Sequence, residues 1–216
     1  MMNEAGGGTV YDRCIQNALH GTVSGSPTYS VVLGNGFYGV TLAAASSQYA
    51  SLGTPSSLAF TDAGAHAVVA LLKVNDTAAV KTIIGRRSNA GNTPGWEFRF
   101  ATDETLEYVM CDDSGNQDRV GSDAALTAAT LVMPGFSKSG AGAAAVTLYN
   151  NGAAVADTDD ANLCAGNPTY TGINASQGAR NNADQFFDGT MGLIAVFNAA
   201  KTAADYRRWA YLAGQL

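Results

Sequence analysis

Apolar and polar residues alternate along much of the chain, in short stretches that are separated by turn residues. One of these stretches contains, in order, Trp96, Glu97, Phe98, Arg99 and Phe100. Because successive side chains of a β-strand point to opposite faces, the three rings share one face and the two charged residues share the other. After a turn, apolar residues again recur with a period of two up to residue 111. Residues 95–111 are therefore predicted to form a β-hairpin with one buried face.

Nine more stretches have the length and spacing of strands. Asn151 and Gly152 separate two of them and supply the positive φ angles that a tight two-residue turn needs, so these two strands are predicted to form a second hairpin. The nine stretches are residues 29–33, 36–42, 48–52, 65–74, 80–86, 129–137, 143–149, 153–156 and 191–197.

Near the C-terminus the pattern changes to that of a helix. Thr202 and Asp205 have the spacing of a capping box, in which each side chain accepts a hydrogen bond from a backbone amide at the start of a helix. Apolar residues then recur at helical spacing, and Gly214 follows as the stop. These apolar residues are Tyr206, Trp209, Ala210 and Ala213.

Many short strands followed by one helix indicate an all-β fold. Each strand has one apolar face that needs an opposing sheet, which predicts a two-sheet antiparallel jelly-roll sandwich with a short C-terminal helix. We assign residues 26–216 to this jelly-roll domain. Residues 1–25 are rich in glycine and weakly patterned, and we interpret them as an N-terminal extended arm.

The charge balance narrows the class of partner. The 216 residues include 18 acidic and 12 basic side chains, which give a formal net charge of -6. Because binding to nucleic acid needs a basic surface, no nucleic-acid partner is expected. The sequence has neither an apolar run long enough to cross a bilayer nor the pattern of a secretory leader. No association with a membrane is therefore expected.

The three cysteines, Cys14, Cys111 and Cys164, are too few and too scattered for a disulfide framework or a CxxC metal site. We interpret them as free thiols, with one disulfide between Cys14 and Cys164 as the alternative. Zinc is disfavoured, because the two histidines, His20 and His66, lie near neither each other nor a pair of cysteines.

Carboxylates cluster in two segments that we expect to be loops. Ca²⁺ accepts six to eight oxygen ligands in loose geometry, so either segment is a candidate calcium site. Aspartate also favours turns because its side chain bonds the local backbone, and plain turn chemistry is the alternative. Apart from calcium, no cofactor is expected. The candidate ligands are Asp157, Asp159 and Asp160, while the other segment holds Asp112, Asp113 and Asp118.

The sequence contains no GxSxG, metalloprotease or P-loop signature. A GxGxxG pattern does occur at residues 34–39, but a strand-like stretch follows it where a nucleotide site needs a helix, so it predicts a turn between antiparallel strands. Glycoside hydrolysis needs two facing carboxyl groups, and Glu97 and Glu107 could meet across the first hairpin. We expect both to be solvent-facing strand residues, and the protein not to be an enzyme.

Three blocks of residues, in the right order, resemble the laminin-G-like, concanavalin A-like lectin/glucanase jelly-roll family. The similarity covers roughly residues 10–214, and residues 129–135 depart from it because many members have a Trp-His pair there. The resemblance implies a sandwich fold and a non-catalytic role in binding glycans or proteins through edge loops. The blocks are Gly36, Gly39, Leu42, Tyr49 and Leu52, then segments 83–87, 95–98 and 148–152, and finally segment 186–198 with the helix after it.

A single jelly roll that is poor in charge and rich in small residues is also similar to accessory structural proteins of tailed bacteriophages. We therefore expect a virion protein that is assembled in the host cytoplasm and decorates capsid or tail proteins as a homo-oligomer. The low lysine content suits close contacts between subunits.

The main alternative is a free carbohydrate-binding module, with a glycoside hydrolase as the third possibility. In a carbohydrate-binding module, exposed aromatic rings stack on the faces of sugars. The candidate ligand-binding residues are Tyr38, Tyr49, Trp96 and Tyr170.

Overall fold

A computed structural model describes residues 9–10, 20–34, 37–75, 79–88, 93–103 and 105–215. These residues form seventeen strands and one α-helix, and three single 3₁₀ turns at Ala44–Ser46, Ser56–Leu58 and Ala143–Ala145. The elements are β1 (Thr9–Val10), β2 (Gly21–Ser24), β3 (Thr28–Gly34), β4 (Phe37–Leu42), β5 (Tyr49–Gly53), β6 (His66–Val74), β7 (Lys81–Arg87), β8 (Gly95–Phe100), β9 (Leu106–Cys111), β10 (Gln117–Ser122), β11 (Leu131–Val132), β12 (Pro134–Lys138), β13 (Val146–Asn150), β14 (Ala153–Ala154), β15 (Asp157–Asn162), β16 (Ala175–Gln177), β17 (Gly189–Phe197) and α1 (Ala203–Leu212).

The strands form two sheets, one of nine strands and one of eight. The order in the nine-stranded sheet is β1-β2-β5-β16-β7-β8-β9-β10-β15. The order in the eight-stranded sheet is β14-β13-β12-β6-β17-β4-β3, with β11 paired to β6. Among the described strands every pairing is antiparallel. The predicted all-β, two-sheet antiparallel sandwich is confirmed.

The two sheets pack face to face around a cluster of aromatic rings. Phe136 of β12 lies near its centre, with ring centroids 4.5 Å from Tyr108, 5.2 Å from Phe98 and 6.3 Å from Trp96 across the sandwich. All four rings are buried. The alternating pattern that predicted the first hairpin therefore identified the core-facing side of β8, and β8 pairs with β9 as predicted.

Helix α1 packs on the outer face of the eight-stranded sheet. The ring of Tyr206 stacks on Tyr149 with 3.9 Å between centroids, and its hydroxyl donates a hydrogen bond to the carbonyl of Val68 at 3.0 Å. Gly135 lies directly beneath this ring, where a Cβ would collide with Tyr206. Glycine at this position lets the helix lie close against the sheet.

Both ends of α1 are as predicted. The Thr202 side chain accepts a hydrogen bond from the Asp205 amide, and the Asp205 side chain accepts one from the Thr202 amide, so the capping box is confirmed. Gly214 follows the helix with a φ of 70°. Within the described residues, no helix has both the length and the apolar character that crossing a membrane requires.

The predicted turn at Asn151 and Gly152 is also confirmed. Asn151 and Gly152 have φ angles of 47° and 80° and join β13 to β14 as a tight hairpin. The glycine pattern at 34–39 spans the end of β3 and the start of β4, which pair antiparallel, and the turn predicted between them lies outside the described residues.

Several segments differ from the prediction. The predicted strand 129–137 is divided into β11 and β12, and residues 143–145 form a 3₁₀ turn ahead of β13. The strands β10, β15 and β16 were not predicted. In the segment interpreted as an arm, the described residues 9–10 and 21–24 form β1 and β2 of the nine-stranded sheet.

Candidate functional site

The outer face of the nine-stranded sheet carries a row of charged side chains, which we name the arginine–glutamate network. On β8 and β9 these residues alternate with the core rings, so they point away from the core. Arg99 and Glu107 are directly paired across β8 and β9. The network consists of Arg87, Glu97, Arg99, Glu107 and Arg119.

Each carboxylate of the network accepts hydrogen bonds from two arginines. Glu97 Oε2 lies 3.3 Å from Arg87 Nη1 and 3.2 Å from Arg99 Nη1. Glu107 accepts from Arg99 Nε at 2.8 Å and from Arg119 Nε at 2.6 Å. Although burial acts in the opposite direction, the two glutamates raise the pKa of Arg99 above its ordinary value. The network is thus a chain of charge-assisted hydrogen bonds across the four strands β7 to β10.

The two glutamates are buried, whereas the outer end of the network meets solvent. Glu97 and Glu107 are 0 % and 2 % exposed, and the side chain of Arg119 is 40 % exposed. The prediction that both glutamates face away from the core is confirmed, but the expectation that they face solvent is wrong. Arg99 and Arg119 bind Glu107, while Glu97 is also contacted by the segment 180–186 before β17, which we name the covering segment.

That covering segment contributes polar groups of its own. Arg180 and Asp184 form a bidentate ion pair, with Nε–Oδ1 at 2.9 Å and Nη2–Oδ2 at 2.6 Å. With its amide nitrogen towards Glu97, Gln185 donates to Glu97 Oε1 at 2.6 Å and accepts from Arg180 at 3.2 Å. The hydroxyl of Thr82 also donates to Glu97. Polar side chains from β7, β8 and the covering segment therefore converge on one carboxylate.

The four aromatic residues predicted to bind a ligand do not come together. Trp96 is fully buried between the sheets and its Nε1 donates to the carbonyl of Leu58 at 2.9 Å, so it offers no ring face to a ligand. The ring of Tyr170 lies under the guanidinium of Arg86, 4.7 Å from its centroid. Tyr38, 43 % exposed, belongs to the eight-stranded sheet.

Tyr49 and Trp96 both belong to the sheet that carries the network, but Tyr49 lies on its outer face. It is half-buried on β5, and its ring centroid is 6.0 Å from that of Phe186 in the covering segment. Alternation places Tyr49 on the outer face, because its neighbour Ala50 belongs to the core.

The predicted calcium segment is a strand, β15, and not a loop. Asp157 pairs with Ser122 of β10, and its Oδ2 accepts a hydrogen bond from the Leu148 amide at 3.3 Å. Asp160 lies at a register shift opposite Arg119 and Val120. The side chains of Asp159 and Asp160 are outside the described part, so calcium binding there stays a prediction.

The other acidic segment ties two loops together. Asp112 Oδ1 accepts from the amides of Ser114 and Asn116 at 2.9 and 3.0 Å, and its Oδ2 accepts from the Ala165 amide at 3.2 Å. Asp113 accepts from the Thr169 amide at 2.6 Å. The bonds to Ser114 and Asn116 are the local turn chemistry that the sequence left open as the alternative to calcium, whereas those to Ala165 and Thr169 join two loops.

At the same end of the sandwich lies a group that was not predicted, which we name the acid–thiol cluster: Asp62, Asp118 and Cys164. One potential ligand atom from each residue lies within 4.8 Å of the others. Asp118 Oδ1 accepts from the Cys164 amide at 3.0 Å, whereas the buried Oδ2 receives no hydrogen bond from an amide, amine or hydroxyl donor among the described residues. Asp62 forms an ion pair with the buried Lys138, with 3.1 Å between Oδ1 and Nζ.

The acid–thiol cluster shifts the pKa values of its members. Burial, and after it the neighbouring Asp62, raises the pKa of Asp118 to about 6. Burial and the two carboxylates raise the pKa of the Cys164 thiol to about 11. Among the described residues Cys111 and Cys164 form no disulfide, and the alternative pairing of Cys164 with Cys14 stays a prediction because Cys14 lies outside them.

No sequence signal identifies this cluster. Asp62 comes from a loop, Asp118 from a strand too polar to be predicted, and Cys164 from the loop after β15. The arginine–glutamate network was easier to predict from the sequence, because the alternation on β8 already placed Glu97 and Arg99 on one face.

Comparison with known protein families gives the class of the chain. A family model described as concanavalin A-like lectin/glucanases superfamily (Laminin_G_3) matches residues 44–205, and the chain belongs to this family. The resemblance inferred from the sequence is confirmed. No curated protein matches the sequence.

Among solved structures, the chain is similar to the CBM40 domain of the Ruminococcus gnavus IT-sialidase, including its complex with alpha2,3 sialyllactose. The identity is 12%, the TM-score is 0.54, and the match covers 68% of this chain and 83% of the other. Domain 4 of AbnA, an extracellular GH43 arabinanase from Geobacillus stearothermophilus solved with arabinotriose, matches with 15% identity and a TM-score of 0.60 over 89% and 87% of the two chains.

The chain is also similar to the binding domain of botulinum neurotoxin serotype G. The identity is 9% and the TM-score 0.60, over 94% of this chain and 50% of that one. At such identities these structures establish the shared sandwich fold.

Proposed function

We propose that the protein is a non-enzymatic glycan-binding domain whose sugar site lies on the outer face of the nine-stranded sheet, at the arginine–glutamate network. The observation that carries this proposal is the row of guanidinium and carboxylate groups fixed across β8, β9 and β10, with Arg119 exposed at its end. The sequence left a carbohydrate-binding module open as an alternative, and we propose the network as its site.

The chemistry of the network suits a sugar. Sugar hydroxyls accept hydrogen bonds, and the 40 % exposed side chain of Arg119, held by Glu107 on a rigid strand, presents a planar donor group at the outer end of the network. Groups that are already held in place lose little conformational entropy when a ligand binds. Tyr49 and Phe186, on the outer side of the same sheet, add apolar ring surface of the kind that can pack on a sugar face.

The relatives support the same proposal. Two of the similar structures were solved with bound oligosaccharides, sialyllactose and arabinotriose. A virion role has no comparable support from the relatives or from the geometry, and it stays a prediction from the sequence.

Binding without bond cleavage is also part of the proposal. A glycosidase needs one carboxylic acid free to give up a proton and a second carboxylate free to act as nucleophile or base. In this structure both Glu97 and Glu107 are engaged by two guanidinium groups each.

A glycan array probed with the full chain tests the proposal. We expect binding to a subset of glycans, and a loss of at least about tenfold in affinity for Arg119→Ala, because a partly buried arginine is often a dominant contact. Arg208→Ala, on the exposed side of α1, is the matched control and should bind like the wild type.

Three results would count against the proposal. Absence of binding to any glycan would overturn the function. Unchanged binding by Arg119→Ala would remove the site from this face. Release of reducing sugar from a bound glycan, lost on Glu97→Gln, would favour a glycoside hydrolase.

A further inference from the structure

We infer that the acid–thiol cluster is a binding site for a thiophilic divalent cation of the Zn²⁺ type, with Asp62, Asp118 and Cys164 as ligands. The inference rests on the placement of these three side chains and is independent of the proposed glycan site.

The ligand atoms are already near one another. One oxygen from each carboxylate and the Cys164 Sγ lie within 4.8 Å of each other. Zinc binds oxygen at about 2.0–2.2 Å and sulfur at about 2.3 Å, so small side-chain rotations bring the three atoms to a common centre. Three protein ligands leave a further position of a tetrahedral ion for water.

An unsatisfied buried oxygen points to a missing partner. Asp118 is 0 % exposed, and within the described part of the chain no amide, amine or hydroxyl group donates to its Oδ2, although Oδ1 is bonded to the Cys164 amide. Its side-chain contact with Asp62 joins two carboxyl groups, which can share only a proton. Native proteins seldom leave a buried carboxylate oxygen unpaired. A cation between Asp62 and Asp118 would satisfy it and remove the repulsion between the two carboxylates.

The charges of the cluster fit a dication. When ionised, the two carboxylates and the thiolate carry three negative charges, and the buried Lys138 offsets one of them through its ion pair with Asp62. The remaining two charges are those that a divalent cation neutralises.

The donor set selects the kind of cation. Ca²⁺ and Mg²⁺ prefer oxygen ligands alone, whereas a thiolate favours zinc-like ions. The site also has a route to solvent, because Cys164 is half-buried and the Asp62 side chain is 12 % exposed.

Cobalt serves as the spectroscopic probe. Untagged, chelator-stripped full-length protein is titrated with Co²⁺, and we expect one equivalent to produce a near-ultraviolet thiolate-to-cobalt charge-transfer band that Zn²⁺ then abolishes. Cys164→Ser should remove the band, and Asp118→Asn should weaken Zn²⁺ binding at least about tenfold. Cys111→Ser is the matched control, since this buried cysteine lies outside the cluster, and it should keep the band.

Two outcomes would overturn the inference. One is the absence of stoichiometric Co²⁺ or Zn²⁺ binding to the stripped wild type, which would mean that a shared proton, and not a metal, occupies the space between Asp62 and Asp118. The other is a band that survives Cys164→Ser. Circular dichroism of each variant shows that it is folded, and Cys164→Ser changes a half-buried residue, so the test does not depend on Asp118→Asn alone.

Discussion

His66 lies wholly inside the sandwich, where its ring stacks on Phe60 with 4.1 Å between centroids. Nδ1 donates to the Gly64 carbonyl at 2.8 Å, and Nε2 accepts from the Tyr108 hydroxyl at 3.1 Å. Both ring nitrogens are therefore satisfied in the neutral form. Burial lowers the pKa of His66 to about 4.

This pKa makes stability depend on pH. Between pH 4 and about 6.5 the unfolded chain binds a proton at His66 that the folded chain does not, so the free energy of unfolding decreases as the pH falls through this window. The full effect is about 3 kcal/mol. Urea denaturation from pH 7 to pH 4, with a chelator present, measures it.

The matched variant for this measurement is His66→Gln, whose amide can keep both hydrogen bonds and does not titrate. The difference in unfolding free energy between wild type and variant should shrink by about 3 kcal/mol on acidification, with the groups common to both cancelling. A difference that stays constant with pH would show that His66 is not held neutral by the fold.

At the scale of single residues, the sequence predicts the face of the sheet on which a side chain lies better than how deeply that side chain is buried. Alternation correctly separated Trp96 from Glu97, because the period of a strand is local. It could not show that Glu97 is buried, since the residues that cover it, such as Gln185, are distant in the chain. The acid–thiol cluster was beyond prediction for the same reason.

At the scale of elements, the best-predicted unit is α1, whose signals are all contained in one short segment. The capping box contributes to its stability because Thr202 Oγ1 accepts from the Asp205 amide at 3.3 Å. Loss of a threonine N-cap typically costs about 1 kcal/mol.

Thr202→Ala should therefore lower the free energy of unfolding by about 1 kcal/mol, while Thr202→Ser, which keeps an acceptor oxygen, should retain most of it. Urea denaturation at neutral pH compares the two. Equal losses for alanine and serine would indicate that the threonine methyl group, and not the hydrogen bond, stabilises the helix start.

The strands β10 and β15 were not predicted for a common physical reason. β10 and β15 are rich in Asp, Asn and Gln, which disfavour strands when judged by propensity alone. They form because neighbouring strands offer backbone hydrogen bonds, and Asp118 is drawn inside the sandwich as a result. Pairing with neighbouring strands thus outweighs the low β-propensity of these residues, and the local sequence pattern does not reveal that pairing.

At the scale of the whole molecule, the two layers were predictable but the strand order was not. β16 lies between β5 and β7, and β17 lies between β6 and β4. Such neighbours are far apart in sequence, so only the assembled sheets determine which loops meet at each end of the sandwich.

Arg86 joins the loops at the end that holds the acid–thiol cluster. Its guanidinium donates to the carbonyls of Ile173 at 3.0 Å, Pro55 at 2.7 Å and Tyr170 at 3.2 Å. The residue is 4 % exposed. One side chain from β7 thus satisfies backbone oxygens of two distant loops.

Arg86→Lys keeps the charge but cannot reproduce the planar fork that reaches three carbonyls. A buried acceptor left without a partner costs about 1–3 kcal/mol, so we expect a loss of roughly 2–4 kcal/mol in unfolding free energy. Hydrogen exchange should also become faster in the loops around residues 54–61 and 165–174.

Arg208→Lys, on the exposed side of α1, is the matched control and should change neither the unfolding free energy nor the exchange rate of these loops. If Arg86→Lys lowered global stability while exchange in these two loops stayed slow, the loops would be held by their own contacts, and Arg86 would act only as a packed core residue.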